Sequence, residues 1–316
     1  MAIVQRLKSF WSLLRETFNQ WKEREPFNNS IIIAYYTIFS LPGLLVIVIN
    51  VAGYFYDKKE VTSEVTGQVE AMIGGDTAGD VQGIIDKATE SKGTVISSIL
   101  GVATLLFGAT GVFYQLQQIL NKMWEVKPKP KQKILKLVRD RVFSFGLILA
   151  VGFLLLVSLV ISAGLSALSN WVSGYISDAF MVVFNIADFI VSLGVVTLLF
   201  ASIYKFLPDA KISWRDVWIG ALMTSVLFII TKFALGLYFG KSDPGSTYGA
   251  AGSIILIMLW VSYAGIILLF GAEFTQVYAN RYGKKVQPTD TAVSTKGEED
   301  NGAIVNKKKQ KETGAR

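Results

Sequence analysis

The chain has 316 residues, of which 52% are apolar and 17% charged, with a formal net charge of +7. Ordinary soluble domains carry about 25% charged residues, so the deficit points to a membrane protein. Neither Cys nor His is present, which excludes disulfides, zinc–thiolate sites and Ser-His-Asp or Cys-His catalysis.

In chain order, residues 3–21 place Ile3, Val4, Leu7, Trp11, Leu14, Phe18 and Trp21 on one helical face, with Arg6, Lys8, Arg15 and Lys22 elsewhere. That pattern suits an amphipathic helix in the membrane interface, or equally one packed against a bundle. Long uncharged runs follow: 31 residues between Glu25 and Asp57, 29 between Lys92 and Lys122, 36 between Arg141 and Asp178, and 29 between Asp243 and Glu273. A spanning helix needs about 20 apolar residues, so each run holds one. Phe180 to Phe206 and Val217 to Gly240 add two more, interrupted by Asp188 with Lys205 and by Lys232. The fold expected is therefore all-α and polytopic, with six spans near 31–54, 94–120, 142–168, 180–206, 217–240 and 248–277. Segment 58–92 carries Val61, Val65, Val69 and Met72/Ile73, then Val81, Ile84, Ile85 and Ala88 beyond Gly74-Gly75. It reads as two short amphipathic helices on the outer face.

Lys and Arg set the orientation. Segment 121–141 carries eight, whereas 55–93 has four Lys against eight acids. Both termini and the 121–141 loop are thus expected in the cytoplasm, with 55–93 outside. No secretory leader is expected before the first span. The chain divides into an N-terminal segment 1–29, a membrane domain 30–280 and a polar tail 281–316 expected to be disordered. The basic loop is read as a topology signal that also attracts anionic lipid headgroups. Lys127-Pro128-Lys129-Pro130-Lys131 has no interleaved aromatic, so nucleic acid is not expected as a partner.

Few motifs carry chemistry. Gly236-Leu237-Tyr238-Phe239-Gly240-Lys241-Ser242 has three residues between its glycines where a phosphate-binding loop has four. Pro42-Gly43 predicts a kink in the first span. Ser158, Ser162 and Ser166 form a small-residue face suited to close packing or to a hydrophilic lining. Gly245, Gly249 and Gly252 suggest irregular backbone before the sixth span.

The sequence resembles the YihY/BrkB family of bacterial inner-membrane proteins over about residues 25–280. The resemblance rests on Tyr35-Tyr36 with Ser40-Leu41-Pro42; Leu120-Asn121-Lys122-Met123-Trp124; Leu207-Pro208-Asp209-Ala210 with Trp214-Arg215 and Gly220-Ala221; Tyr248-Gly249-Ala250-Ala251-Gly252; Leu259-Trp260; and Gly271-Ala272-Glu273. It implies six spans, an outer segment after the first, and an inner-membrane location. Virulence-factor and tRNA-ribonuclease labels attach to that family, and the second sits badly with a chain lacking His.

The charges inside the spans, Asp188, Lys232 and Glu273, are the candidate polar site. Asp188 and Lys232 lie at matched depth with opposite sign; Glu273 is expected to meet Arg141, Lys205 or Arg215. No catalytic group, metal or cofactor is expected. Transport or exchange of a small molecule or lipid is the leading expectation, against a membrane scaffold organising envelope partners. The substrate and the oligomeric state are not legible.

Overall fold

The computed structural model describes residues 2–53, 57–73, 110–129, 178–242 and 252–295, with helical residues at 79, 81–83, 85, 86 and 146. The described helices are α1 (Ala2–Glu23), α2 (Pro26–Ala52), α3 (Lys58–Ile73), α4 (110–123), α5 (Asp178–Phe206), α6 (Trp214–Ser242) and α7 (Gly252–Tyr282). Three stretches, within α5, α6 and α7, are long and apolar enough to cross a bilayer: Phe189–Phe206, Trp214–Phe239 and Gly252–Tyr282. These match the expected fourth to sixth spans. The expected third span, with its Ser158, Ser162 and Ser166, lies outside the described residues apart from residue 146, as does most of the second. The first coincides with α2.

Exposed apolar residues on α6 recur as Leu222, Val226, Ile230, Phe233 and Leu237. Those spacings of three and four residues make one continuous stripe, as expected of a face turned to hydrocarbon. The opposite side buries Val217, Ala221, Thr224 and Ser225.

α7 is the central column. Gly220 and Gly271 let α6 approach it: a Cβ on Gly220 would overlap the Thr275 hydroxyl, and one on Gly271 would overlap the Thr224 hydroxyl. Such small residues permit close helix packing. α2 lies on another side, with Gly265 against Ser30, where an added Cβ would stand 3.2 Å from the Ser30 Cβ. Further along, Leu45 and Ile49 share a cluster with Ile257.

α1 is packed against α7. Ser9 Oγ is 2.6 Å from Tyr282 Oη, Leu13 packs with Phe274 and Val277, and the Trp21 ring is 5.8 Å from Phe270. From Ser9 to Trp21 and from Tyr282 to Phe270 are twelve residues each, so α1 runs antiparallel along the last turns of α7. Of the two sequence expectations for this helix, packing against the bundle is the one observed. Leu13, Thr17 and Trp21 form its buried edge, while Phe10, Trp11 and Phe18 stay exposed.

Segment 58–92 forms the first of its two expected helices, α3. Val61, Val81 and Ile85 bury against Leu45, Ile49 and Ile257, folding this segment onto the far end of the bundle.

The tail 281–316, expected to be disordered, is structured over its described part, 281–295; residues 296–316 lie outside the described residues. α7 runs to Tyr282, and residues 287–294 form two short strands. β1 (Val126–Pro128) pairs antiparallel with β4 (Ala292–Ser294), and β2 (Ala210–Lys211) with β3 (Gln287–Pro288). The physical reason is backbone satisfaction: Thr289 N donates to Asp209 O and Thr295 N to Glu125 O, so the segment is bonded across two loops. The strands define a strand end of the bundle.

Pro42 and Gly43, where a kink is expected, lie within α2, whose helical assignment runs unbroken from Pro26 to Ala52. The first turns of α2 are anchored at the α1–α2 junction, where Glu25 has φ 53°.

Candidate functional site

The buried polar groups concentrate at the strand end. On α4 and just beyond it, Gln117, Asn121 and Glu125 recur every four residues and lie on one side. Gln117 and Asn121 are buried. Asn121 Nδ2 donates to Asp209 Oδ2 at 2.8 Å, and the Asp209 backbone N–H donates back to Asn121 Oδ1 at 2.8 Å. Asp209 precedes β2, so this reciprocal pair ties α4 to the α5–α6 connection.

Glu125 has φ 56° as the chain leaves α4 for β1. Its carboxylate accepts a 2.8 Å bond from Arg24 Nη2. Arg24 Nη1 donates to Lys122 O at 2.9 Å, and Arg24 Nε lies 3.3 Å from Glu273 Oε2. One guanidinium at the α1–α2 junction therefore joins α4 and α7. Glu273 is fully buried, whereas the Arg24 and Glu125 side chains are about one-fifth exposed. A carboxylate held without solvent demands such a partner, since an isolated buried charge is driven to neutralise.

A second layer lies beside it. Trp124 Nε1 donates to Ala272 O at 3.1 Å, and Tyr204 Oη donates to Leu268 O at 2.8 Å while standing 3.0 Å from Thr224 Oγ1. Asp216, buried in the first turn of α6, receives Lys284 N and meets Gly283, where a Cβ would overlap its carboxylate. Its charge also complements the helix N-terminus.

Below the Arg24 cluster, α1, α7 and the strands line a half-open pocket of about 390 Å³. Trp124, Glu125 and Gln276 form its inner part, and Glu16, Asn280 and Lys285 its exposed mouth. Gln276 is only 3% exposed, and its Oε1 has no hydrogen-bond partner. A buried orphan acceptor is costly unless something occupies its hydrogen-bonding position.

Of the sequence-derived site residues, Glu273 is at this centre. Among the described residues it pairs with Arg24, and not with Lys205 or Arg215, two of the three expected partners. Arg141 lies outside the described residues, Lys205 donates to Ile212 O beneath Trp214, and Arg215 is exposed. Lys232 is exposed on α6, and the Asp188 side chain lies outside the described residues. Gly252 opens α7 as a helical, buried residue; Gly245 and Gly249 lie outside the described residues. Arg24, Glu125 and Gln276 were missed. The four-residue spacing of Gln117, Asn121 and Glu125 was the signal available for that side of the site.

A helical chain with three apolar spans and a polar cluster at one end is a membrane protein. The family model described as "Virulence factor BrkB" matches residues 17–295, and the chain belongs to that family. It is similar to the ribonuclease-like protein YfkH of Bacillus subtilis (strain 168), at 24% identity over 273 residues, covering 85% of this chain and 96% of that protein. It is also similar to the UPF0761 membrane protein of Pseudoalteromonas atlantica, at 27% over 254 residues and 78% of each chain. The UPF0761 membrane protein of Alteromonas mediterranea matches at 24% over 290 residues, covering 86% of this chain and 92% of that one. No solved structure matches. The sequence pieces that carried the resemblance converge in space: Asn121 on Asp209 and Trp124 on Ala272.

Proposed function

We propose that this protein is a non-enzymatic transporter that moves a small polar solute across the bacterial inner membrane, entering or leaving through the strand-end cavity. The observation that carries the reading is the continuity of that cavity with a buried charge cluster. Glu125 belongs to both the cavity wall and the Arg24–Glu273 pair. Ionisable groups at membrane depth are costly and tend to face solute pathways. Asn121 and Gln117 extend the polar side of α4 further into the bundle. The strand end faces the cytoplasm in this reading, because the basic loops converge there and Phe206, Trp214, Trp218 and Tyr282 are exposed around it as an interfacial girdle. The ribonuclease-like label of one relative is not adopted, since Glu125, Glu273 and Asp209 are held by Arg24 and Asn121, and the chain has no His for acid–base work.

The test is reconstitution into proteoliposomes and uptake of a labelled panel of amines, amino acids, sugars and carboxylates. Saturable uptake of one class is expected, falling at least tenfold in Arg24→Ala despite normal insertion. Uptake indistinguishable from empty liposomes across the panel overturns the reading.

A further inference from the structure

We infer that an anionic phospholipid docks on the outer side of the α1–α2 corner, its phosphate between Arg15 and Lys22 and one acyl chain along α2. Leu13, Thr17 and Trp21 turn the buried edge of α1 to α7. The far side of the helix carries Arg15, Phe18 and Lys22, all exposed, at spacings of three and four residues that put them on one line. Lys8 and Trp11, also exposed, continue that line. Arg15 and Lys22 are about 10 Å apart along the axis, a gap that two long side chains can close onto one phosphate. Among the described residues neither has a hydrogen-bond or ion-pair partner. The acids nearby are committed or turned away. Glu16 is held by Arg281 at 3.5 Å, Glu25 by Lys122 at 3.7 Å and Glu125 by Arg24 at 2.8 Å. Glu23 stands one position past Lys22, about 100° further round the helix and on the flank away from Phe18.

The depth suits a headgroup. The uncharged part of α7, Gly252 to Ala272, is about 31 Å long at about 1.5 Å per residue, matching a hydrocarbon core of about 30 Å. Polar residues follow from Glu273 onward, so the core boundary at the strand end lies near Ala272. Trp21 packs on Phe270, which sets the α1–α2 corner at that boundary. Arg15 lies about 9 Å further out than Trp21, and the Lys22 stem can carry its ammonium outward to the same layer. The apolar half of the lipid has a track. Phe18 and Phe27, both exposed, flank the Trp21 ring at 5.6 and 5.9 Å. From Phe27 the exposed side chains Ile31, Tyr35 and Phe39 follow at four-residue intervals, a ridge of about 18 Å leading into the core. That exceeds the half-thickness of the core, about 15 Å, which the chains of one leaflet fill. A soluble phosphate compound would use only the cations, and a zwitterionic lipid would bring a cation of its own to Arg15 and Lys22. An anionic phospholipid meets cations and ridge together.

The chain has no Cys, so one introduced cysteine takes a fluorophore at a single place. Asn28→Cys is exposed beside Phe27, and Leu237→Cys, exposed on α6, is the reference. The test is quenching of each label in the full chain, reconstituted in phosphatidylcholine vesicles. The same small fraction of lipid carries an acyl-chain nitroxide, on phosphatidylglycerol in one set and on phosphatidylcholine in the other. At position 28 phosphatidylglycerol should quench about three- to ten-fold more strongly, the scale of two basic side chains acting on an anionic headgroup. At position 237 the two should quench equally. Arg15→Gln with Lys22→Gln should bring the ratio at position 28 to about one, while quenching by phosphatidylcholine there stays unchanged, as it does only in an inserted, folded protein. The charge-keeping exchange Arg15→Lys with Lys22→Arg should retain the preference. A ratio near one in the parent, a preference that survives the double Gln change, or its loss in the exchange overturns the inference. So does its loss on adding a few millimolar glycerol phosphate, which would make the ligand a soluble phosphate compound. None of these outcomes depends on whether a solute is moved.

Discussion

Asn121 and Asp209 hold one another by two hydrogen bonds of 2.8 Å, one of them from the Asp209 backbone. The geometry makes an exchange test sharp. Asn121→Asp alone sets two carboxylates together in a buried site and should cost about 1–3 kcal/mol. Adding Asp209→Asn restores a donor–acceptor pair, and the residue at 121 still offers an oxygen to the 209 backbone. Most of the loss should return. Thermal unfolding in detergent, followed by circular dichroism, measures it; additive losses would show that the pair is not coupled.

Arg24 and Glu273 allow a parallel cycle with a different sign of outcome. Arg24→Met strands the buried Glu273 carboxylate, for which about 3–5 kcal/mol is expected. The double variant Arg24→Met with Glu273→Gln removes both charges and should regain most of the stability. A double variant as damaged as Arg24→Met alone would mean that the arginine acts through Glu125 and Lys122 instead.

The helix contacts predict a contrast among glycines. Gly220→Ala and Gly271→Ala drive a methyl into Thr275 and Thr224 respectively. Overpacking of this kind costs typically about 1–3 kcal/mol. Gly194 and Gly236 have nothing within 4 Å of an added Cβ. Alanine there should be neutral or stabilise by up to about 1 kcal/mol through helix propensity. Similar melting temperatures for all four variants would contradict the packing described.

The strand end has a pH signature. The Lys211 ammonium, 2.7 Å from Asp290 and hydrogen-bonded to it, holds that carboxyl below its ordinary range. A lowered native value means the pair's contribution is present above the unfolded carboxylate pKa and fades as pH falls through the lowered one. Asp290 is fully exposed, so the contribution is small and screened by salt. Lys211→Met should return Asp290 toward the ordinary value, as read by carboxyl carbon NMR titration of selectively labelled protein.

What the sequence disclosed depended on the range of the interaction. The apolar runs behind α5, α6 and α7 are local, and their length alone announces a span. The alternation along α1 was equally local, but an apolar edge looks the same whether it meets lipid or α7; only Phe270, Phe274 and Tyr282 decide it. Glu273 was legible as an intramembrane charge. Its partner was not, because Arg24 is 249 positions away and Lys205 is nearer in the chain. Strands of two and three residues have no period to detect, and their pairing depends on backbone bonds such as Thr289 N to Asp209 O. Gln276 carries no sequence signal, since a lone amide near a span end is ordinary.

The antiparallel seating of α1 and α2 along α7 has a consequence for biogenesis. α1 and α2 leave the ribosome before α7, so they meet this neighbour only once the chain between Ala52 and Gly252 has been made. Until then Trp21 lacks the Phe270 ring and Arg24 lacks Glu273. A product ending before Phe270 would keep Glu125 for Arg24 but would leave the Leu13–Trp21 edge of α1 uncovered, an exposed apolar surface of the kind that marks incomplete chains.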